Sequence, residues 1–131
     1  IEQKKAIIHT QFATANNIIT ADKYYMLLTF INLIENAIKY AAAPQIIIST
    51  YTEGINCCIS IKDNGIGINK ENQKKIFNRF FRVTDGDLHT VKGFGLGLNF
   101  VKKVVDAHKG KIEVISNPAE GSTFIVKIAG G

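Results

Sequence analysis

At 131 residues the chain is long enough for one compact domain with a real hydrophobic core and too short for two. Its 46% apolar and 21% charged residues exclude the compositions that stay disordered, so the chain is expected to fold. A net charge of +5 favours a polyanionic partner, but no run of Lys or Arg exceeds two residues, which argues against a dedicated nucleic-acid surface.

Cys57 and Cys58 are adjacent in an apolar stretch. Successive strand side chains face opposite ways, so the pair reads as reduced filler in a reducing compartment rather than a disulfide. No Cys/His spacing suggests zinc, and the longest apolar runs are far too short to cross a bilayer. Without a signal-peptide pattern at Ile1, the chain is read as an excised piece of a longer protein.

In chain order, residues 5–12 predict a strand and 16–20 a short extended piece. Residues 22–42 then show helical apolar spacing, unbroken until Pro44, with Asp22 able to cap the start. Residues 45–52 and 55–62 are β-branched and apolar around Glu53 and Gly54, which is hairpin grammar. A turn over 63–67 leads to a short polar-faced helix at 69–77, then a loop over 82–93 with its tip at Asp85, Gly86 and Asp87. Residues 96–108 predict a second long helix, closed by Gly110 in the left-handed position. Strands at 112–116 and 123–128 follow, joined through Asn117, Pro118 and Gly121. The order argues for an α/β (α+β) two-layer sandwich, with a mixed, mostly antiparallel sheet packed against about three helices.

Chemistry first enters on the helix that contains residues 32–40 (NLIENAIKY). At about 100° per residue, Asn32, Asn36, Lys39 and Tyr40 share one face, opposite Leu33, Ile34, Ala37 and Ile38. A solvated face explains this. Two asparagines one turn apart nevertheless weaken a helix without return on a wet surface, and an amide oxygen suits Mg²⁺, which takes further ligands from substrate phosphates. Lys39 would then face the same phosphates.

Residues 62–68 (KDNGIGI) directly follow a strand. They can be a tight turn. Alternatively, an ionised Asp63, which only accepts hydrogen bonds, can receive the exocyclic amine of adenine but not the carbonyl that guanine places there. Gly65 and Gly67 would leave room for a ring beside the backbone. Residues 92–98 (KGFGLGL) open a helix, where free N–H groups and the positive dipole end can meet phosphates; close packing of three glycines is the competing reading. A dinucleotide fingerprint fails because Leu98 stands where it needs Gly, and Gly110-Lys111 is followed by Ile112, so no P-loop is present.

These segments together resemble the ATP-binding domain of bacterial sensor histidine kinases, of the Bergerat-fold superfamily shared with DNA gyrase, MutL and the Hsp chaperone ATPases. The likeness spans most of the chain: 32–40 resembles the N box, 63–67 the G1 box, 76–82 (IFNRFFR) the F box, 93–98 (GFGLGL) the G2 box and 121–123 (GST) the last glycine box. It implies a cofactor of ATP with Mg²⁺, held by Asn36 as the metal ligand. Catalysis would fall to Asn32, Asn36, Lys39 and Arg82. The nucleotide site would also take in Tyr40, Asp63 at the adenine amine, Gly65, Gly67, Ile68 and Phe77. It would further include Lys92, Gly93, Phe94, Gly95, Leu96, Gly97, Leu98 and, near the base, Thr123. Phe77, Phe80 and Phe81 also fit a role as core and lid anchors, which their spacing favours.

The superfamily's ATPases carry a glutamate general base four residues before the Mg²⁺ asparagine, and here that position is Asn32. An amide cannot take a proton from water at neutral pH, so the resemblance implies a kinase that donates to a histidine. Such an acceptor histidine is followed by an acidic residue, whereas His9 and His89 precede Thr and His108 precedes Lys. The expected partners are therefore a dimerisation and phosphoacceptor domain of the same parent and a downstream response regulator, with no nucleic acid. The parent is expected to be a membrane-bound homodimer, with this domain cytoplasmic and monomeric when isolated. A GHKL-type ATPase and a non-catalytic nucleotide-binding docking module are the alternatives. The ending Ala129-Gly130-Gly131 departs from the Pro-ending strand of the family.

Overall fold

The computed structural model describes residues 5–12, 19–78 and 97–130. Five strands and three helices follow in chain order: β1 (Ile7–Phe12), α1 (Lys23–Lys39), β2 (Gln45–Glu53), β3 (Asn56–Asp63), α2 (Lys70–Gln73), α3 (Gly97–Ala107), β4 (Lys111–Asn117) and β5 (Gly121–Ala129). The sheet order is β1-β2-β3-β5-β4, with β1 parallel to β2 and the other pairs antiparallel. This is the expected two-layer sandwich.

α1 begins where Asp22 accepts the N–H of Tyr25 at 3.0 Å and buries Met26, Thr29, Leu33 and Ala37, a stripe at three- and four-residue spacing. Those side chains meet Ile46, Ile61, Phe124, Val126 and Ile128 from the sheet and Val101 and Val105 from α3. Cross-strand partners project to the same face, so the pairs Ile61–Ile48 and Ile61–Phe124 mark the helix-covered side. On the far side Lys127 lies between Glu53 and Glu113 at 3.0 and 3.2 Å, the pattern of a solvated face. Cys57 and Cys58 form no disulfide, as the alternation of strand faces requires.

Three expectations are corrected. The helix expected at 69–77 is regular only over Lys70–Gln73: Asn72 O accepts from both Lys75 and Ile76, and Asn78 bonds back to Lys75, tightening the last turn. The left-handed residue after α3 is Lys109 (φ 58°), not Gly110. Lys109 and Gly110 donate to Asp106 and Val105, a Schellman closure, and a side chain at Gly110 would stand 2.5 Å from Lys127 O. Glycine serves close approach there. Residues 19 and 20 are not strand, while the rest of the expected extended piece and the loop over 82–93 lie outside the described residues.

Candidate nucleotide site at the end of the central strands

Asp63 ends β3 on the helix-covered face, paired with the buried Ile46, and is 7% exposed. Its Oδ1 accepts two backbone N–H groups, from Gly65 at 2.8 Å and Ser122 at 3.2 Å. Burial pushes the carboxyl's pKa up, against the two N–H donors that pull it down. Its Oδ2 makes no hydrogen bond among the described residues. A half-used carboxylate therefore stands at the rim of the core.

The loop after β3 stitches this carboxylate to the end of α1. Ile66 donates to Tyr40 O at 3.1 Å, and Asn64 bridges Gln45 N–H and Ala43 O, fixing the α1–β2 connection. Asp63 and the polar face of α1 consequently lie on one side of the sheet. The glycines are used inside the protein. A Cβ at Gly65 would stand 2.8 Å from Tyr40 O, and one at Gly67 (φ 75°) would collide with Asn117 O. Their missing side chains admit the backbone of neighbouring segments.

Along α1 the two asparagines differ. Asn32 is 7% exposed and occupied at both ends, Nδ2 donating to Leu28 O at 2.8 Å and Oδ1 accepting from Gly97 N–H at 3.2 Å. Asn36, half-buried one turn later, has no hydrogen-bond partner among the described residues. Lys39 and Tyr40 are half-buried at the same end of the helix, each with partners of its own.

Of the remaining expected residues, Ile68 donates its N–H to Ser116 Oγ at 2.7 Å, and Leu98 packs against the core. Phe77 meets Phe124 edge to face with centroids 6.3 Å apart, and its carbonyl accepts from Asn99, the anchoring role its spacing favoured. Thr123 pairs with Lys62 and Ile115 on the face opposite Asp63, because strand side chains alternate. The structure brings Ser122 to Asp63 instead. Ser122 is buried and its Oγ lies 2.7 Å from Ser116 Oγ, a pair the sequence reading missed. Counting back by twos from Phe124 would have placed Ser122 on the core side. Arg82, Lys92, Gly93, Phe94, Gly95 and Leu96 lie outside the described residues.

No group of three or more His, Cys, Asp or Glu side chains able to hold a metal occurs among the described residues. Mg²⁺ takes few protein ligands and draws several from a bound phosphate. The Asn36 amide, unpartnered among the described residues, has the chemistry of such a ligand.

A buried carboxylate linked through its loop to an asparagine-bearing helix, over a mixed five-stranded sheet, defines a nucleotide-binding class. The chain belongs to the family of histidine kinase-, DNA gyrase B- and HSP90-like ATPases, which matches residues 21–130. Among its members this chain is similar to sensor histidine kinases. It is 41% identical to the sensor protein RprX of Bacteroides fragilis, over 98% of this chain and 25% of that protein. It is 39% identical to the sensor-like histidine kinase SenX3 of Mycolicibacterium smegmatis, over 84% of this chain and 29% of that one. The catalytic domain of the histidine kinase ThkA superposes with a TM-score of 0.78 at 28% identity, covering 95% of this chain and 80% of that one. The histidine kinase domain of the E. coli osmosensor EnvZ gives 0.70 at 26% identity, covering 95% and 75%. The chain thus spans about a quarter of the curated relatives' length. No described helix is long and apolar enough to cross a membrane.

Proposed function

We propose that this chain binds Mg·ATP and donates the γ-phosphoryl group to a histidine carried by a separate dimerisation and phosphoacceptor domain of its parent, upstream of a response regulator. The observation that carries the reading is Asp63: a buried carboxylate with Oδ1 fixed by two N–H groups and Oδ2 unengaged among the described residues. An acceptor-only group held this firmly selects the amine of adenine and repels the carbonyl of guanine.

The other roles follow from the same end of the fold. Asn36 is the metal ligand, and Lys39 and Tyr40 border the nucleotide from the last turn of α1. Leu98 offers its N–H at the start of α3 toward the phosphates. The family resemblance adds Arg82 and the run from Lys92 to Leu96 around them. Bound Mg²⁺ would neutralise charge on the β- and γ-phosphates. Phosphoryl transfer needs positioning more than covalent help from the protein, and an amide at Asn32 gives water no general base. The phosphoryl group is therefore kept for the histidine. In a parent kinase the domain would face the cytoplasm, where ATP is available.

Calorimetry with Mg·ATP and Mg·GTP, on the wild type and Asp63→Asn, tests the base contact. Adenine preference should be clear in the wild type and lost in the variant; equal affinity for both nucleotides in the wild type would sink the assignment. Transfer of labelled phosphate to an added acceptor domain tests the chemistry, and Asn36→Ala should abolish transfer while sparing adenine preference. Rapid phosphate release without an acceptor would favour the hydrolase.

A further inference from the structure

The sequence leading into α3 offers no side-chain cap. Helices are opened by Ser, Thr, Asp or Asn just before the first turn, whose side-chain oxygen takes an otherwise unpaired N–H. Here residues 93–97 read GFGLG and contain no side-chain acceptor. The acceptor comes instead from Asn32, 65 positions earlier, whose Oδ1 receives the N–H of Gly97 at 3.2 Å. Gly97 has φ 69°, a left-handed conformation that glycine adopts readily, and a Cβ there would meet nothing within 4 Å among the described residues. Among the described residues, the contact that holds Gly97 is therefore its hydrogen bond to Asn32 of α1 rather than packing.

The amide is also fixed in orientation. Nδ2 donates to Leu28 O at 2.8 Å within α1, which directs Oδ1 outward from the helix to α3. Asn32 is buried, whereas Asn36 one turn on is half-buried with its amide unpartnered among the described residues. One asparagine is engaged and the other is available.

The geometry points to Asn32 as a positioning residue. Its carboxamide locks the first residue of α3 to α1, and so sets the distance between the N–H groups at the head of α3 and the Asn36 amide. This rests on the nucleotide reading above and assigns Asn32 a place behind the site instead of in contact with the reacting atoms. An acceptor is what the position requires; an amide supplies it without the proton-accepting strength of a carboxylate.

Two variants of the 131-residue chain separate the possibilities. Asn32→Leu matches the side chain in size and removes the acceptor, while Asn32→Asp keeps an oxygen toward Gly97. Calorimetry with Mg·ATP and with AMP reads the phosphate-dependent part of binding, because AMP retains the base contact at Asp63. The ratio of ATP to AMP affinity should fall roughly tenfold in Asn32→Leu, the loss of one hydrogen bond's worth of positioning, and recover in part in Asn32→Asp, which keeps the acceptor toward Gly97 but loses the donor to Leu28 O. A residue in direct contact with the triphosphate would give the opposite order, since a carboxylate there repels phosphate. Asp binding ATP more weakly than Leu therefore overturns the proposal.

Amide hydrogen exchange at Gly97, measured without nucleotide, gives a second readout. It should be protected in the wild type and in Asn32→Asp and accelerate in Asn32→Leu. Unchanged protection in Asn32→Leu would refute the clamp. Failure of the wild type to bind ATP, with the exchange pattern as expected, would instead reject the nucleotide reading and leave the clamp standing.

Discussion

The Oδ1 of Asp63 lies 3.2 Å from the backbone N of Ser122, so the last residue of β3 and the second residue of β5 share one buried charge. Burial raises the pKa of that carboxyl above its ordinary 3.8. A folded-state pKa above the unfolded one means that the charged form is disfavoured by folding, so the penalty is full above the folded value and disappears as pH falls below 3.8. Asp63→Asn keeps an oxygen for Gly65 and Ser122 and removes the charge. It should therefore unfold at higher urea than the wild type near neutral pH, with the gap closing as the wild-type carboxyl protonates. Affinity for ATP should move the other way in the wild type, weakening as Asp63 protonates. A variant less stable than wild type at neutral pH would show that the ion is stabilised where it stands.

The glycines divide by what their missing side chains avoid. Gly67 and Gly121 have positive φ, and a Cβ on them would collide with the carbonyl oxygens of Asn117 and Asp63, both parts of the backbone. Gly54 and Gly97 also have positive φ, but a Cβ would meet nothing within 4 Å among the described residues. Alanine at either of the first two should cost about 3 kcal/mol or more, and at either of the second two about 1 kcal/mol, from backbone strain alone. Urea denaturation of the four variants reads this directly. Comparable losses at all four would mean that the loop after β3 does not press on the turn between β4 and β5.

Much of this architecture is legible in the chain because hydrophobic period and turn chemistry coincide. The alternation of 45–52 with 55–62 around Gly54 could hardly be anything but a hairpin, and the spacing of Met26, Leu33 and Ala37 identifies the buried stripe of α1. What resisted reading depends on contacts distant in sequence. Nothing near Asn32 tells that its amide caps a helix 65 residues later, and nothing near Gly67 shows Asn117 pressed against it. The reading at Thr123 is of another kind. Both Ser122 and Thr123 carry hydroxyls, and strand parity, available from Phe124 and Val126, chooses between them.

The adjacent thiols offer a test of strand parity that does not involve the site. Cys57 projects into the core and Cys58 to the far face, where it is only 1% exposed. Burial, reinforced by Glu53, pushes the Cys58 thiol up, which lowers its reactive thiolate fraction. A thiol reagent should label the folded chain on the order of a hundredfold more slowly than the chain in denaturant, because reaction awaits opening. Fast labelling of one equivalent without denaturant would place one of the two thiols at the surface.

The two long helices are joined away from the nucleotide end by His108. Its Nε2 receives the backbone N–H of Asp22 at 3.0 Å, while Nδ1 lies 2.8 Å from Val104 O. A carbonyl can only accept, so Nδ1 carries the proton and the ring is neutral where it meets Asp22. Asp22 is at the same time the cap of α1 through Oδ1 and Tyr25 N–H. The imidazole thus holds the backbone of the residue whose side chain caps the helix. His108→Ala and Asp22→Ala should each cost about 1 kcal/mol, and the double variant should cost about 0.5 kcal/mol less than their sum, because a cap on an unanchored residue is worth less. Nitrogen chemical shifts of the ring should report the Nδ1–H form. Strict additivity in the cycle would mean that the cap forms equally well without the histidine, and that the imidazole does not hold Asp22 in its capping position.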